Sequence, residues 1–192
     1  VRRNGVTVRQ TMTLDEFLTW ERCQETKHEF DGVGPVATPD VCAAHGQIQS
    51  NLIGALGVRL RGRDCRVYGS GMKIDAAGHI RYPDALVIRT RHPRGTEVFP
   101  DPVVLFEIVS RTTSRLDRFV KFEEYFAIPS VQTYVLLEQD FQGATVLRRN
   151  GQHWALEPVP EKDTIALPEI GIELPMADIY DQVDMPEDGQ IA

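Results

Sequence analysis

Cysteine is scarce in this chain of 192 residues: Cys23, Cys42 and Cys65 are odd in number, widely spaced and without a paired motif. That pattern argues against a disulfide scaffold or a zinc module and predicts reduced thiols in a cytoplasmic setting. Long apolar runs are lacking too, since none approaches the ~20 residues of a membrane span. The first residues, Val1-Arg2-Arg3-Asn4-Gly5, are basic and carry no apolar segment of the kind a secretory signal needs. Lysine is rare, with Lys27, Lys73, Lys121 and Lys162 set against 17 arginines. No repeat or low-complexity block interrupts the chain. Hydrophobic residues at 42% and charged residues at 26% are the proportions of an ordinary globular protein. One domain is expected over residues 13–181, after a leader or flexible N-terminus (1–12) and before an acidic flexible tail (182–192).

A net charge of −7 speaks against nucleic acid only until its placement is considered. Residues 151–192 hold ten acidic side chains and a single base, Lys162, so the first 150 residues carry a balance of +2. Arginine favours bidentate contacts to phosphate and carboxylate. Clusters occur at Arg59/Arg61/Arg63/Arg66, Arg89/Arg91/Arg94 and Arg111/Arg115/Arg118. Solvated surface charge is the plain reading of any one of them.

Thr13-Leu14-Asp15-Glu16 has the form of a capping box, predicting a helix over about 14–24. A hairpin follows from Lys27 to Thr38. A longer helix, capped near Asp40, places Ile48, Leu52, Ala55, Leu56 and Leu60 at helical spacing and ends near Arg61-Gly62. Strands are expected at about 65–69, 72–75, 80–89 and 102–110, a helix at 114–127, and a strand at 131–138. A hairpin turning at Asn150-Gly151 comes next. This order predicts an α+β fold, a mixed central sheet flanked by helices with extra strands at the C-terminus.

Within that scheme two carboxylates stand out. Asp84 and Glu107 lie in the otherwise apolar segments Tyr82–Ile88 and Val103–Val109. A buried charge is costly unless it is paired, protonated or bound to a metal. If the two segments run antiparallel, Asp84 falls opposite Glu107 and Ile88 opposite Val103. Two like charges sharing one spot raise one pKa, unless a divalent cation keeps both ionised. The pair is therefore read as a metal site for Mg2+ or Mn2+, with the carbonyl of Ile108 as a third ligand because it follows the carboxylate along the strand. Lys121 is the candidate cation. Asp117, Lys121 and Tyr125 share one face of the following helix, although an ordinary surface pair with Asp117 would explain that spacing equally well.

Taken in order, Leu14-Asp-Glu-Phe-Leu, Glu29-Phe-Asp-Gly, Ala44-His45-Gly-Gln, Tyr82-Pro-Asp-Ala-Leu-Val-Ile, Phe106-Glu-Ile-Val-Ser and Asp117-Arg-Phe-Val-Lys121-Phe-Glu-Glu-Tyr125 resemble the Uma-type restriction endonuclease family of the PD-(D/E)XK nuclease superfamily. The resemblance implies a restriction-endonuclease-like fold and a Mg2+-dependent endonuclease acting on DNA, with Asp84, Glu107, Lys121 and Glu29 as its catalytic residues. It also implies that the signature lysine, which would stand at Val109, has moved to Lys121. Glu29 matches an acidic position that the superfamily often adds. Asp31 beside Gly32 fits a turn. His45 and Gln47 are open between helix capping and the margin of the site, and Tyr125 is expected to pack in the core. A homodimer is expected, because cutting both strands takes two active sites. A competing reading is a catalytically inactive binding module of the same fold, whose carboxylates are satisfied by Lys121 and nearby amides. A third, weaker reading is a phosphatase-like metallohydrolase acting on small substrates.

Overall fold

The computed structural model describes residues 11–38, 41–110 and 115–185, with residues 115–118 described for their backbone alone. Helix α1 (Leu14–Glu21) starts at the expected capping box: the Thr13 amide donates to Glu16 Oε2 at 2.7 Å, and the Glu16 amide donates to Thr13 Oγ1 at 3.3 Å. Strands β1 (His28–Phe30) and β2 (Pro35–Ala37) form the expected hairpin. Asp31 shapes its turn by accepting from the amides of Val33 and Gly34. Helix α2 (Ala43–Arg59) buries Ile48, Leu52 and Leu56, the stripe predicted by their spacing. Its expected cap, Asp40, lies outside the described residues, and Cys42 occupies the N-cap position.

Strands β3 (Arg66–Gly69), β4 (Lys73–Ala76), β5 (His79–Arg81), β6 (Ala85–Ile88), β7 (Val98–Phe99) and β8 (Pro102–Val109) follow. Helix α3 (Arg115–Phe126) leads to β9 (Thr133–Glu138), β10 (Gly143–Asn150), β11 (His153–Pro160), β12 (Thr164–Leu167), β13 (Ile172–Pro175) and the short α4 (Met176–Ile179). The mixed α+β architecture expected from the sequence is present, with its strands divided between sheets. The main sheet runs β11-β10-β9-β8-β6-β3 and a smaller one runs β2-β1-β5-β4-β7, while β12 and β13 pair apart. In the main sheet β8 and β9 are parallel, joined through α3 as a parallel pair requires, and the other neighbours are antiparallel.

Three local expectations are corrected. The strand expected over 80–89 is two strands in two sheets, β5 in the smaller and β6 in the larger. Tyr82-Pro83-Asp84 forms the corner between them, and Pro83 has no amide to offer a ladder there. Register between β6 and β8 starts as expected, with Ala85 opposite Phe106, Leu86 opposite Leu105 and Val87 opposite Val104. A bulge then sets Ile88 opposite Pro102 rather than Val103. The third correction is at the β10–β11 turn, where Asn150 pairs with His153, so the loop residues are Gly151 and Gln152. Gly151 takes the first loop position at φ 60, a conformation that glycine adopts without steric cost.

The main sheet is covered on both faces. On one, Ile48, Leu52 and Leu56 of α2 pack with Val104, Phe106 and Ile108 and with the C-terminal residues Leu174, Met176 and Ile179. On the other, Tyr125 of α3 and Ile128 pack with Leu86, Leu105 and Tyr134. All eight residues of β8 are buried, so Glu107 stands in a strand with no wet face. Alternation along β8 puts Glu107 on the side of Leu105, toward α3. The core continues to Val183 and Met185, both in contact with the α2 side.

The uneven charge has a structural counterpart. Arg59 pairs with Asp178, Arg89 donates to the Glu169 carbonyl, and Arg148 donates to the Ala166 carbonyl at 2.6 Å. These arginines fasten the acidic C-terminal segment to the body. Arg59 lies about 20 Å along α2 from His45, at the 1.5 Å rise of an α-helix. Arg111, Arg115 and Arg118 lie outside the side chains described. Among the described residues no helix is long and apolar enough to cross a membrane.

Candidate active site

The corner between the sheets and the centre of β8 bring Asp84 and Glu107 to one place, one register step beyond the Ala85–Phe106 pair. Asp84 is 9% exposed and Glu107 is 7% exposed, so neither charge is solvated as it would be on a surface. Each is instead met by specific donors. His45 Nε2 lies 2.9 Å from Asp84 Oδ1, and because an ionised carboxylate only accepts, Nε2 carries the hydrogen. Gln49 Nε2 donates to Asp84 Oδ1 at 3.2 Å and to its carbonyl at 2.9 Å. The Ile108 amide donates to Asp84 Oδ2 at 2.7 Å.

Glu107 is met from α3. Tyr125 donates to Glu107 Oε1 at 2.6 Å, and Lys121 Nζ donates to both carboxylate oxygens at 3.2 and 3.3 Å. Lys121 also reaches Glu29 Oε1 at 3.3 Å. Glu29, on β1, is held in turn by Arg81 Nη1 at 3.2 Å and by the Tyr82 amide at 3.4 Å. Arg81 grips Glu124 of α3 through two parallel bonds of 2.6 and 2.7 Å. The network therefore joins both sheets and both flanking helices.

All four expected side chains, Glu29, Asp84, Glu107 and Lys121, meet here. Ile108 contributes its amide to Asp84, and because a strand residue directs amide and carbonyl to the same edge, its carbonyl faces that side as well. Tyr125 both fills the core and binds Glu107. His45 belongs to the site, whereas Gln47 points to Asn51 Oδ1 at 2.9 Å. Gln49, Arg81 and Glu124 escaped the sequence reading. For Gln49 the signal existed, because it stands one turn after His45 on the same helix face. The Asp117 side chain lies outside those described.

Among the described residues fixed charges do not balance: Glu29, Asp84, Glu107 and Glu124 face Lys121 and Arg81, a formal excess of two negative charges with the histidines neutral. Burial, with Asp84 and Glu29 nearby, pushes the Glu107 carboxyl up to about 7 against the lowering pull of Lys121 and Tyr125. Burial works against the Lys121 ammonium, yet Glu107 and Glu29 hold its pKa above the ordinary lysine range. An oxygen-only donor set with surplus negative charge suits a hard divalent cation such as Mg2+ or Mn2+. Among the described residues no three His, Cys, Asp or Glu side chains form a complete ligand cluster, as Lys121 stands between Glu29 and Glu107.

This arrangement has a signature in stability. A carboxyl whose folded pKa lies near 7, above its ordinary 4.5, binds its proton more tightly folded than unfolded. Its stabilising contribution is complete below about pH 4.5 and is lost as pH rises through about 7. Without divalent ions, urea unfolding should show the wild type losing on the order of 3 kcal/mol relative to Glu107→Gln across that window. Parallel pH profiles for the two proteins would mean that Glu107 ionises as freely folded as unfolded.

Fold and site together define a class, a restriction-endonuclease-like α+β domain with two acidic side chains and a lysine gathered where its main sheet meets the smaller one. The chain belongs to the Uma2 family, described as putative restriction endonuclease, which matches residues 14–177. Uncharacterized protein slr1290 of Synechocystis sp. strain PCC 6803 is 27% identical over 173 residues, covering 88% of this chain and 91% of that one. A second from that organism, sll1609, is 26% identical over 140 residues, covering 70% and 78%. Among solved structures, a putative nuclease belonging to DUF820 from Anabaena variabilis ATCC 29413 matches with a TM-score of 0.75. It covers 88% of this chain and 97% of its own at 22% identity, a likeness of fold.

Proposed function

We propose that this protein is a Mg2+- or Mn2+-dependent endonuclease that hydrolyses DNA phosphodiester bonds at the Asp84/Glu107 centre, in the manner of the PD-(D/E)XK enzymes. The carrying observation is that two buried carboxylates from different elements converge with a lysine in a site where, among the described side chains, acidic groups outnumber basic ones. A divalent ion bound there would supply charge neutralisation at the phosphate and a water of lowered pKa. Asp84, Glu107 and the Ile108 carbonyl would hold it. Tyr125 fixes the Glu107 rotamer. Lys121, placed by Glu29 and Glu107, stabilises the charge that develops on the phosphate oxygens and orients the attacking water. Glu29 assists by holding Lys121, and Arg81 holds Glu29. Cleaving both strands of a duplex takes two such centres, which keeps a homodimer in the proposal. A cytoplasmic location fits the unpaired cysteines.

A second reading, an inactive binding module of the same fold, is favoured by one observation: Glu107 already has Lys121, and Asp84 already has an amide. Metal titration separates the two. Under the nuclease reading Mn2+ binds the wild-type chain and binding is lost in Asp84→Ala, whereas an internally satisfied site gives the same isotherm for both proteins.

A further inference from the structure

Asp84 has an unusual number of donors for a residue asked to bind an ion. A carboxylate offers about four lone-pair positions, two on each oxygen. His45 Nε2 and Gln49 Nε2 both bond Oδ1, at 2.9 and 3.2 Å, and the Ile108 amide bonds Oδ2 at 2.7 Å. Among the described residues these bonds take both positions on Oδ1 and leave one, on Oδ2. Gln49 is fixed in turn by the Asp84 carbonyl, which takes its other hydrogen at 2.9 Å. Both donors stand one turn apart on α2, a rigid helix whose next turns are buried through Leu52 and Leu56.

We infer that His45 and Gln49 are positioning residues that set the ion preference of this centre, by leaving Asp84 able to bind only through Oδ2. The inference rests on the metal-dependent reading above. Mg2+ is small, demands a near-octahedral shell, keeps several waters and takes carboxylates one oxygen at a time; Mn2+ likewise suits carboxylate and water ligands. Ca2+ takes more ligands in flexible geometry and gains most where a carboxylate can offer both oxygens. A carboxylate with one oxygen already filled by two hydrogen bonds therefore favours the smaller ions. The two donors also prevent Asp84 from turning, so that Oδ2 stays directed toward the Glu107 side where the Ile108 amide holds it.

The test is calorimetric titration of Mn2+ and of Ca2+ into the metal-stripped full chain, for the wild type and for Asp84→Ala, Gln49→Met, His45→Leu and His45→Gln, with circular dichroism in EDTA to verify folding. Wild type should bind Mn2+ more tightly than Ca2+, and Asp84→Ala should bind neither at this site. Gln49→Met should weaken Mn2+ about 10–100-fold, the usual cost of losing a residue that orients a metal ligand, while Ca2+ weakens far less. The ratio of the two affinities should then fall about tenfold or more. His45→Leu should move it the same way and carries the comparison if Gln49→Met fails to fold, and His45→Gln, which keeps an N–H donor, should restore the wild-type ratio. Loss of both ions in step, or no change in either, overturns the inference while leaving the metal-dependent reading intact. Equal binding by wild type and Asp84→Ala removes the metal-dependent reading, and this inference with it.

Discussion

Replacing Arg81 by methionine is expected to lower the unfolding free energy by about 3–5 kcal/mol, the cost of breaking a buried ion pair from one side. Arg81 is 5% exposed and is the bidentate partner of Glu124, itself 8% exposed, while its remaining nitrogen serves Glu29. Burial opposes the guanidinium, but Glu124 and Glu29 more than compensate and hold its pKa above the ordinary range. Methionine fills much of the volume, so the loss isolates the charge. Two carboxylates remain, and among the described side chains Lys121 and the more distant His79, at 3.8 Å, are left to answer them. Arg81→Lys should recover little, because an ammonium cannot reproduce the planar fork. Adding Glu124→Leu to Arg81→Met should recover a large part of the loss, since a buried pair replaced by apolar groups is often neutral. Denaturant titrations of the single and double variants measure this coupling; a loss below about 1 kcal/mol for Arg81→Met would mean that water reaches the pair.

Lys121→Met should separate catalysis from binding. Removing a preorganised charge that acts in the transition state costs about 10²–10³-fold in rate, so cleavage should fall by that much. Divalent binding should move the other way. Lys121 neutralises Glu107 and Glu29, and without it the excess negative charge facing an incoming ion grows by one. Mn2+ should bind several-fold more tightly to a chain that barely cuts. Asp84→Ala, by contrast, should lose both. Equal cleavage by wild type and Lys121→Met, measured at saturating metal, would remove Lys121 from the chemistry.

The convergence of Asp84 with Glu107 was legible because each is a charge in an apolar run and strand alternation has a period of two. Lys121 was a candidate from its place on the helix after Glu107 and from the family resemblance, whereas Tyr125 was expected only to pack in the core and its bond to Glu107 was not read. Other parts needed the third dimension. Arg81 and Glu124 lie 43 residues apart, and no local pattern links them until the corner at Pro83 turns the chain from one sheet into the other. The same corner divides the run 80–89, where Pro83 was the local signal of a break that the apolar stretch Ala85 to Ile88 masked. Gln49 was passed over for Gln47, although only Gln49 repeats the face of His45. The arginines at 59 and 89 read most plainly as solvated surface charge, but they hold the acidic C-terminal segment, a pairing set by tertiary placement rather than by local pattern.

The most direct measurement is nicking of supercoiled plasmid by the purified protein in Mg2+ or Mn2+, beside Asp84→Ala and Glu107→Ala prepared identically. Metal-dependent conversion to the nicked form by the wild type, abolished by EDTA and lost in both variants, is the predicted result; no cleavage by the wild type, or equal cleavage by all three proteins, would contradict a phosphodiesterase centre at Asp84 and Glu107.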